Sequence, residues 1–91
     1  DDQFAVGALR AMHERGIAVP QSIALIGWDD TSLARFSYPE VTSVAPDKAA
    51  IAAAALDLLM QRIDGFRGPG RHLIVPHSIA ARASAPSVRS S

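Results

Sequence analysis

From residue 2 to residue 15, apolar positions recur at helical spacing. Phe4, Ala5, Ala8, Leu9 and Met12 share one stripe, while Gln3, Arg10, His13 and Glu14 face away from it. The pattern predicts an amphipathic helix over 2–15. Asp1 or Asp2 caps its start, where the helix dipole favours negative charge. Gly16 ends it in the left-handed conformation, and Ile17 is placed to fold back onto the last turn. Val6 lies off the stripe, near Arg10 and His13. That position suits an ordinary surface valine or a contact with another subunit.

Ile17 to Gln21 connect this helix, through Pro20, to the stretch around which the chain is organised, Ser22 to Asp30. Ile23 to Ile26 is a continuous apolar run. Such a run suits a strand buried on both faces of a parallel sheet better than an alternating surface strand. The predicted strand covers 23–28, and helix, short loop and buried strand together make half of an α/β repeat. Gly27 breaks the run, and Asp29 and Asp30 follow Trp28. In open α/β sheets ligands sit beyond the carboxyl ends of the strands. A carboxylate there can accept hydrogen bonds from two neighbouring hydroxyls, and the Trp28 ring can pack on a sugar or a base. The run Asp29-Asp30-Thr31-Ser32 is equally a good turn and N-cap sequence for a helical turn over 31–35, and Trp28 equally suits core packing. Both readings stand at this point.

Phe36-Ser37-Tyr38-Pro39 reads as a loop whose two aromatics need something to lie against, since Pro39 disfavours helix at Tyr38. Val41 to Val44 reads as a short extended segment. Pro46 and Asp47 start the longest helix, predicted over 46–64, with Pro at its first position and Gly65 at its end. Its apolar set is Ile51, Ala55, Leu58, Leu59 and Ile63, padded by alanines that favour helix and allow close approach. Residues 65–70 form a loop by composition. Two short strands are predicted over 72–75 and 78–82, around Pro76. Residues 84–91 read as a disordered tail.

Composition narrows the functional classes. Ninety-one residues make one domain or part of one. Nine basic residues balance nine acidic ones, and no basic stripe suggests a nucleic-acid surface on this stretch. The absence of cysteine excludes disulfides and thiol chemistry. No signal peptide or apolar span of membrane length is visible, so no membrane partner is expected. The chain opens on Asp1-Asp2-Gln3, straight into a helix, which reads as the C-terminal piece of something longer.

Catalytic signatures are missing. His72 and His77 flank a proline, His13 sits on a solvent face, and no carboxylate stands at ligand spacing, so no metal site is expected. Gly27-Trp28-Asp29 is not a nucleophile elbow. Gly65-Phe66-Arg67-Gly68-Pro69-Gly70 lacks the Lys-Ser/Thr of a phosphate loop and follows a helix instead of preceding one. Asp29 would suit a phosphoacceptor, but the acidic pair and lysine that go with one are not visible. The expectation is neither an enzyme nor a cofactor protein.

Taken in order, Asp1 to Arg10, Gly16-Ile17-Ala18-Val19-Pro20, Ile23 to Asp30, Tyr38 to Val44 and the Ala-rich helix resemble the C-terminal third of a LacI/GalR-family transcriptional regulator. The resemblance runs from about Asp1 to Ala83. It implies an α/β fold, part of two Rossmann-like lobes that close on a small effector, as in periplasmic sugar-binding proteins. The chain would cross between lobes near Thr42 to Pro46, giving 1–44 to one lobe and 45–83 to the other. Asp29 matches the strand-end aspartate that binds effector hydroxyls or ring nitrogens. Asp1 matches a position that is commonly Asn and also contacts the effector. Trp28 stands where Tyr or Phe is usual, near the site. Val6, Arg10 and Phe36 fall on the family's dimer interface.

The resemblance further implies a cytoplasmic bacterial repressor that binds a small effector, a sugar, forms a homodimer and contacts DNA only through a helix-turn-helix outside this sequence. Without the rest of its domain, the chain is expected to pair with another copy or to be part of a longer protein. A periplasmic sugar-binding receptor of a transporter is the alternative on the same fold.

Overall fold

The computed structural model describes residues 1–86. Its elements run α1 (Asp2–Glu14), β1 (Ile26–Trp28), α2 (Ser32–Phe36), β2 (Thr42–Pro46), α3 (Lys48–Ile63) and β3 (His77–Ala80). The strands form one sheet in the order β1-β2-β3. β1 and β2 are parallel, with Ile26 opposite Thr42, Gly27 opposite Ser43 and Trp28 opposite Val44. Parallel neighbours need a crossover of about a dozen residues or more, and residues 29–41, carrying α2, provide it. The mixed α/β architecture agrees with the fold class expected from the sequence.

The chain divides into two compact units. One comprises Asp1–Ala45 together with the segment that begins at Ser78, and the other is Pro46–His77. Residues 78–83 therefore belong to the first unit, not to the second lobe assigned to them from sequence.

In the first unit α1 packs on β1 and α2. Its core is Ala5, Leu9, Ala34 and Val41, with Met12, Val19 and Leu25 packed against it. Ala5, Leu9 and Met12 lie on the expected stripe of α1, but Phe4 does not join them and is 79% exposed. The helix ends as its sequence dictates. Gly16 has φ +70°, Gly16 N–H donates to His13 O at 3.1 Å, and Ile17 N–H donates to Met12 O at 2.9 Å. This pair of bonds satisfies two carbonyls of the last turn, and the left-handed residue it requires is most readily glycine.

β1 differs from its prediction. It is three residues long, and only Gly27 is buried, with Ile26 and Trp28 exposed. Ile23, predicted inside a strand buried on both faces, precedes β1 and is exposed. The backbone of this run pairs elsewhere: Leu25 N–H donates to Ser84 O at 3.0 Å. That partner also overturns the expectation of a disordered tail for Ser84 to Pro86. Ser84 is fully buried, donates from Oγ to Leu25 O at 2.6 Å, and accepts Thr42 N–H at 2.8 Å. The remainder of the predicted tail, 87–91, lies outside the described residues.

The second unit centres on α3. Pro46 ends β2 instead of opening the helix, and Asp47 is the N-cap, its Oδ1 accepting Ala50 N–H at 3.0 Å. Gly65 and Phe66 repeat at its C-terminus the two bonds made by Gly16 and Ile17, to Arg62 O and Gln61 O. No residue of α3 is buried. Residues 72–75, expected as a strand, form none; Pro76 O accepts Asp47 N–H at 3.4 Å, and the strand starts at His77. Correspondingly, strand 78–82 of the prediction becomes His77–Ala80. No helix among the described residues is long and apolar enough to cross a membrane.

Candidate functional site

At the carboxyl end of β1 the two aspartates take different roles. Asp29 has φ +100° and Asp30 φ +53°, a conformation that Asp tolerates better than most side chains. Asp29 is fixed by its backbone, whose N–H donates to Val44 O at 2.9 Å. Its half-buried carboxylate makes no hydrogen bond or ion pair among the described residues. Asp30 is the structural member of the pair. Its Oδ1 accepts Arg82 Nη2 at 2.6 Å, its Oδ2 lies 3.9 Å from Arg35 Nη1, and its N–H donates to Ser43 Oγ at 2.9 Å. Arg82 also donates to Val41 O at 2.9 Å. Neither Asp30 nor Thr31 caps α2 with its side chain; Thr31 is the N-cap by position only.

The turn rests on Asp2, a residue that sequence reasoning offered only as a possible helix cap. Asp1 takes the capping role, its Oδ1 accepting Phe4 N–H at 3.0 Å. Asp2 is fully buried. Its Oδ2 accepts Thr31 N–H at 2.6 Å and Thr31 Oγ1 at 3.0 Å, and its Oδ1 accepts Ser43 Oγ at 2.7 Å. Burial pushes the Asp2 carboxyl up, but these donors outweigh it and hold the group below the usual carboxylate range. No feature of the local sequence marks Asp2, because its partners lie 29 and 41 residues away.

Trp28 and Asp29 therefore stand together at the end of β1. Asp1 is joined to them through its neighbour Asp2, which reaches Thr31. Trp28 is 53% exposed, so it is not a core residue of the described unit. Val6 and Arg10 lie on α1 and Phe36 ends α2. Val6 and Phe36 line one hollow of about 190 Å³ with Ser32, Leu33 and Ser37. Val6 and Arg10 line a larger one of about 580 Å³, beside His13, Val19 and Tyr38. Arg10 Nε also donates to Glu14 at 2.8 Å along the helix, an exposed pair of little energetic weight. Among the described residues, no three His, Asp or Glu side chains gather as a metal site would require.

Comparison with known proteins agrees with this architecture. Residues 1–85 match the periplasmic binding protein-like domain family. The ribose operon repressor of Haemophilus influenzae is 32% identical over 97% of the chain, which corresponds to 26% of that protein. The lactose operon repressor of Rhizobium radiobacter is 33% identical, over 93% of the chain and 74% of that protein. Among solved structures, the complex of the transcriptional regulator CelR with cellobiose superposes with a TM-score of 0.85 at 28% identity, covering 93% of this chain and 26% of that one. The chain thus belongs to the periplasmic binding protein-like domain family, and within it to the LacI/GalR type. It spans about a quarter of the length of the ribose operon repressor.

Proposed function

We propose that this chain is effector-binding and dimerisation structure of a LacI/GalR-type transcriptional repressor, and that its effector is a sugar. The observation that carries this reading is the Asp29 carboxylate. It stands at the carboxyl end of a parallel strand, on a backbone held at positive φ, with its oxygens unclaimed among the described residues while its neighbour Asp30 is paired with Arg82. A carboxylate accepts from two adjacent hydroxyls at once, which is the recognition a sugar ring requires. Trp28 beside it offers an aromatic face, and Asp1 supplies a second carboxylate with one oxygen committed to capping. The cellobiose complex of a relative shows that this fold accommodates a sugar in another regulator.

Val6, Arg10 and Phe36 form the dimer contact in this reading. Support comes from the two hollows that they line and from the exposure of Phe36, which is 86%. DNA binding belongs to a helix-turn-helix outside these residues, and sugar binding changes its affinity by moving the lobes between which the chain crosses near Thr42 to Pro46. Cytoplasmic residence and the absence of catalysis follow from the same assignment. The regulator reading is favoured over a transporter receptor because the ribose and lactose operon repressors are among its relatives.

Calorimetric titration of the intact protein with ribose, lactose and cellobiose tests the site. Binding of at least one sugar by the unmodified protein, weakened at least tenfold in Asp29→Ala, is the expected result. Equal affinity in the two proteins would remove Asp29 from the site.

A further inference from the structure

Two consecutive non-glycine residues at positive φ are held only where the surroundings over-determine them, and at this turn the bonds from Asp30 N–H and Thr31 N–H both lead to one side chain, Asp2. Asp30 N–H donates to Ser43 Oγ at 2.9 Å, and Ser43 Oγ donates in turn to Asp2 Oδ1 at 2.7 Å. The next amide, Thr31 N–H, donates to Asp2 Oδ2 at 2.6 Å, where Thr31 Oγ1 donates as well at 3.0 Å. Both oxygens of Asp2 are thus spent on the turn, one directly and one through Ser43. The arrangement needs an acceptor at every point. Ser43 can accept Asp30 N–H and donate onward only if the group beyond it takes a proton, and Thr31 N–H needs an acceptor of its own. An ionised carboxylate accepts all three donors, whereas an amide in its place keeps one oxygen and turns its N–H₂ toward either Thr31, where it meets two donors, or Ser43 Oγ, where the bond is reversed.

The backbone is shaped to admit this carboxylate. Gly27, opposite Ser43 in the sheet, leaves the space that Asp2 Oδ1 occupies; a Cβ at position 27 would collide with it. Asp2 also follows Asp1 directly in the chain, so the buried anchor is next to one assigned carboxylate and bonded to the turn that carries the other.

We propose that Asp2 is a positioning residue for effector recognition: by holding Asp30 and Thr31 through Ser43 and its own Oδ2, it aims the neighbouring Asp29 carboxylate and sets the place of Asp1. The inference rests on the reading of Asp29 as the effector contact. Its test separates the two. In the intact protein, Asp2→Asn should accelerate hydrogen–deuterium exchange at Asp30 and Thr31 at least tenfold, with exchange across Ala8 to Met12 of α1 within twofold of the unmodified protein. It should also weaken the binding of ribose, lactose or cellobiose, whichever the unmodified protein takes up, at least tenfold. Thr31→Ser, which keeps both donors, should retain both readouts.

Should Asp2→Asn fail to fold, Ser43→Ala serves in its place; it removes the acceptor for Asp30 N–H and should accelerate exchange at that amide by the same factor. Uniform acceleration along the chain, or turn amides within twofold of the unmodified protein, overturns the inference. Loss of sugar binding in Asp29→Ala with no such change in Asp2→Asn also overturns it and leaves the site intact. Sugar binding that survives Asp29→Ala removes the site instead, and the exchange data still decide what Asp2 does to the turn.

Discussion

The Oδ1 atom of Asp2 fills the space into which a side chain at position 27 would project, so the buried carboxylate requires glycine there. The crowding has a second wall, since the same Cβ would come within 3.2 Å of Val41 Cγ1. Gly27→Ala must push aside both a fixed, hydrogen-bonded carboxylate and a core valine. Overpacking of this kind costs about 1–3 kcal/mol. Chemical denaturation of the intact protein should show that loss, and an unchanged midpoint would mean that Asp2 is free to move.

The pH dependence of stability follows from the same residue. The Asp2 carboxyl lies below its ordinary range in the folded state, because Ser43 and Thr31 donors outweigh its burial. A depressed folded pKa stabilises the native state above the unfolded value, about 3.9 for Asp, and this contribution is lost as pH falls through the folded value. The difference in denaturation midpoint between the unmodified protein and Asp2→Asn should be constant from about pH 5 to 7 and shrink below about pH 4. A difference that grows on acidification would contradict the assignment.

Ser84 provides a test far from the turn. Its hydroxyl bridges Thr42 N–H and Leu25 O with no exposure to solvent. Ser84→Ala strands a donor and an acceptor in the interior, at about 1–3 kcal/mol for each buried unsatisfied group. Thermal or urea denaturation should register it, whereas truncation after Pro86 should leave those two bonds in place.

Phe36 separates folding from assembly. Its ring is 86% exposed, so Phe36→Ala removes little buried area and should change stability by no more than about 0.5 kcal/mol, as expected at surface positions. Under the dimer reading it should weaken self-association several-fold in sedimentation equilibrium. Unchanged association would take Phe36 out of the interface.

Local chemistry made much of the chain legible. Gly16 and Gly65 end their helices by the same pair of backbone bonds, which glycine after an apolar stripe announces. Where sequence reasoning failed, the deciding partner lay far away. Ile23 to Ile26 read as a long buried strand because an apolar run carries no periodicity, yet Leu25 pairs with Ser84, 59 residues on. The same return of the chain ordered a segment that composition marked as a tail. Pro46 fits a first helical turn as well as a strand end, and the choice fell to β2. At the site, Asp29 was visible from its place after a strand, but Asp1 and Asp2 are identical residues, and only the approach of Thr31 and Ser43 distinguishes the cap from the buried anchor.

The most direct measurement of the proposed function is the affinity of the intact protein for a DNA fragment selected from its own genome, with and without the sugar that it binds in calorimetry. A sugar-dependent change in DNA affinity of at least fivefold, abolished in Asp29→Ala while DNA binding without sugar is retained, is the predicted result. DNA affinity that is indifferent to sugar, or a response that survives Asp29→Ala, would contradict it.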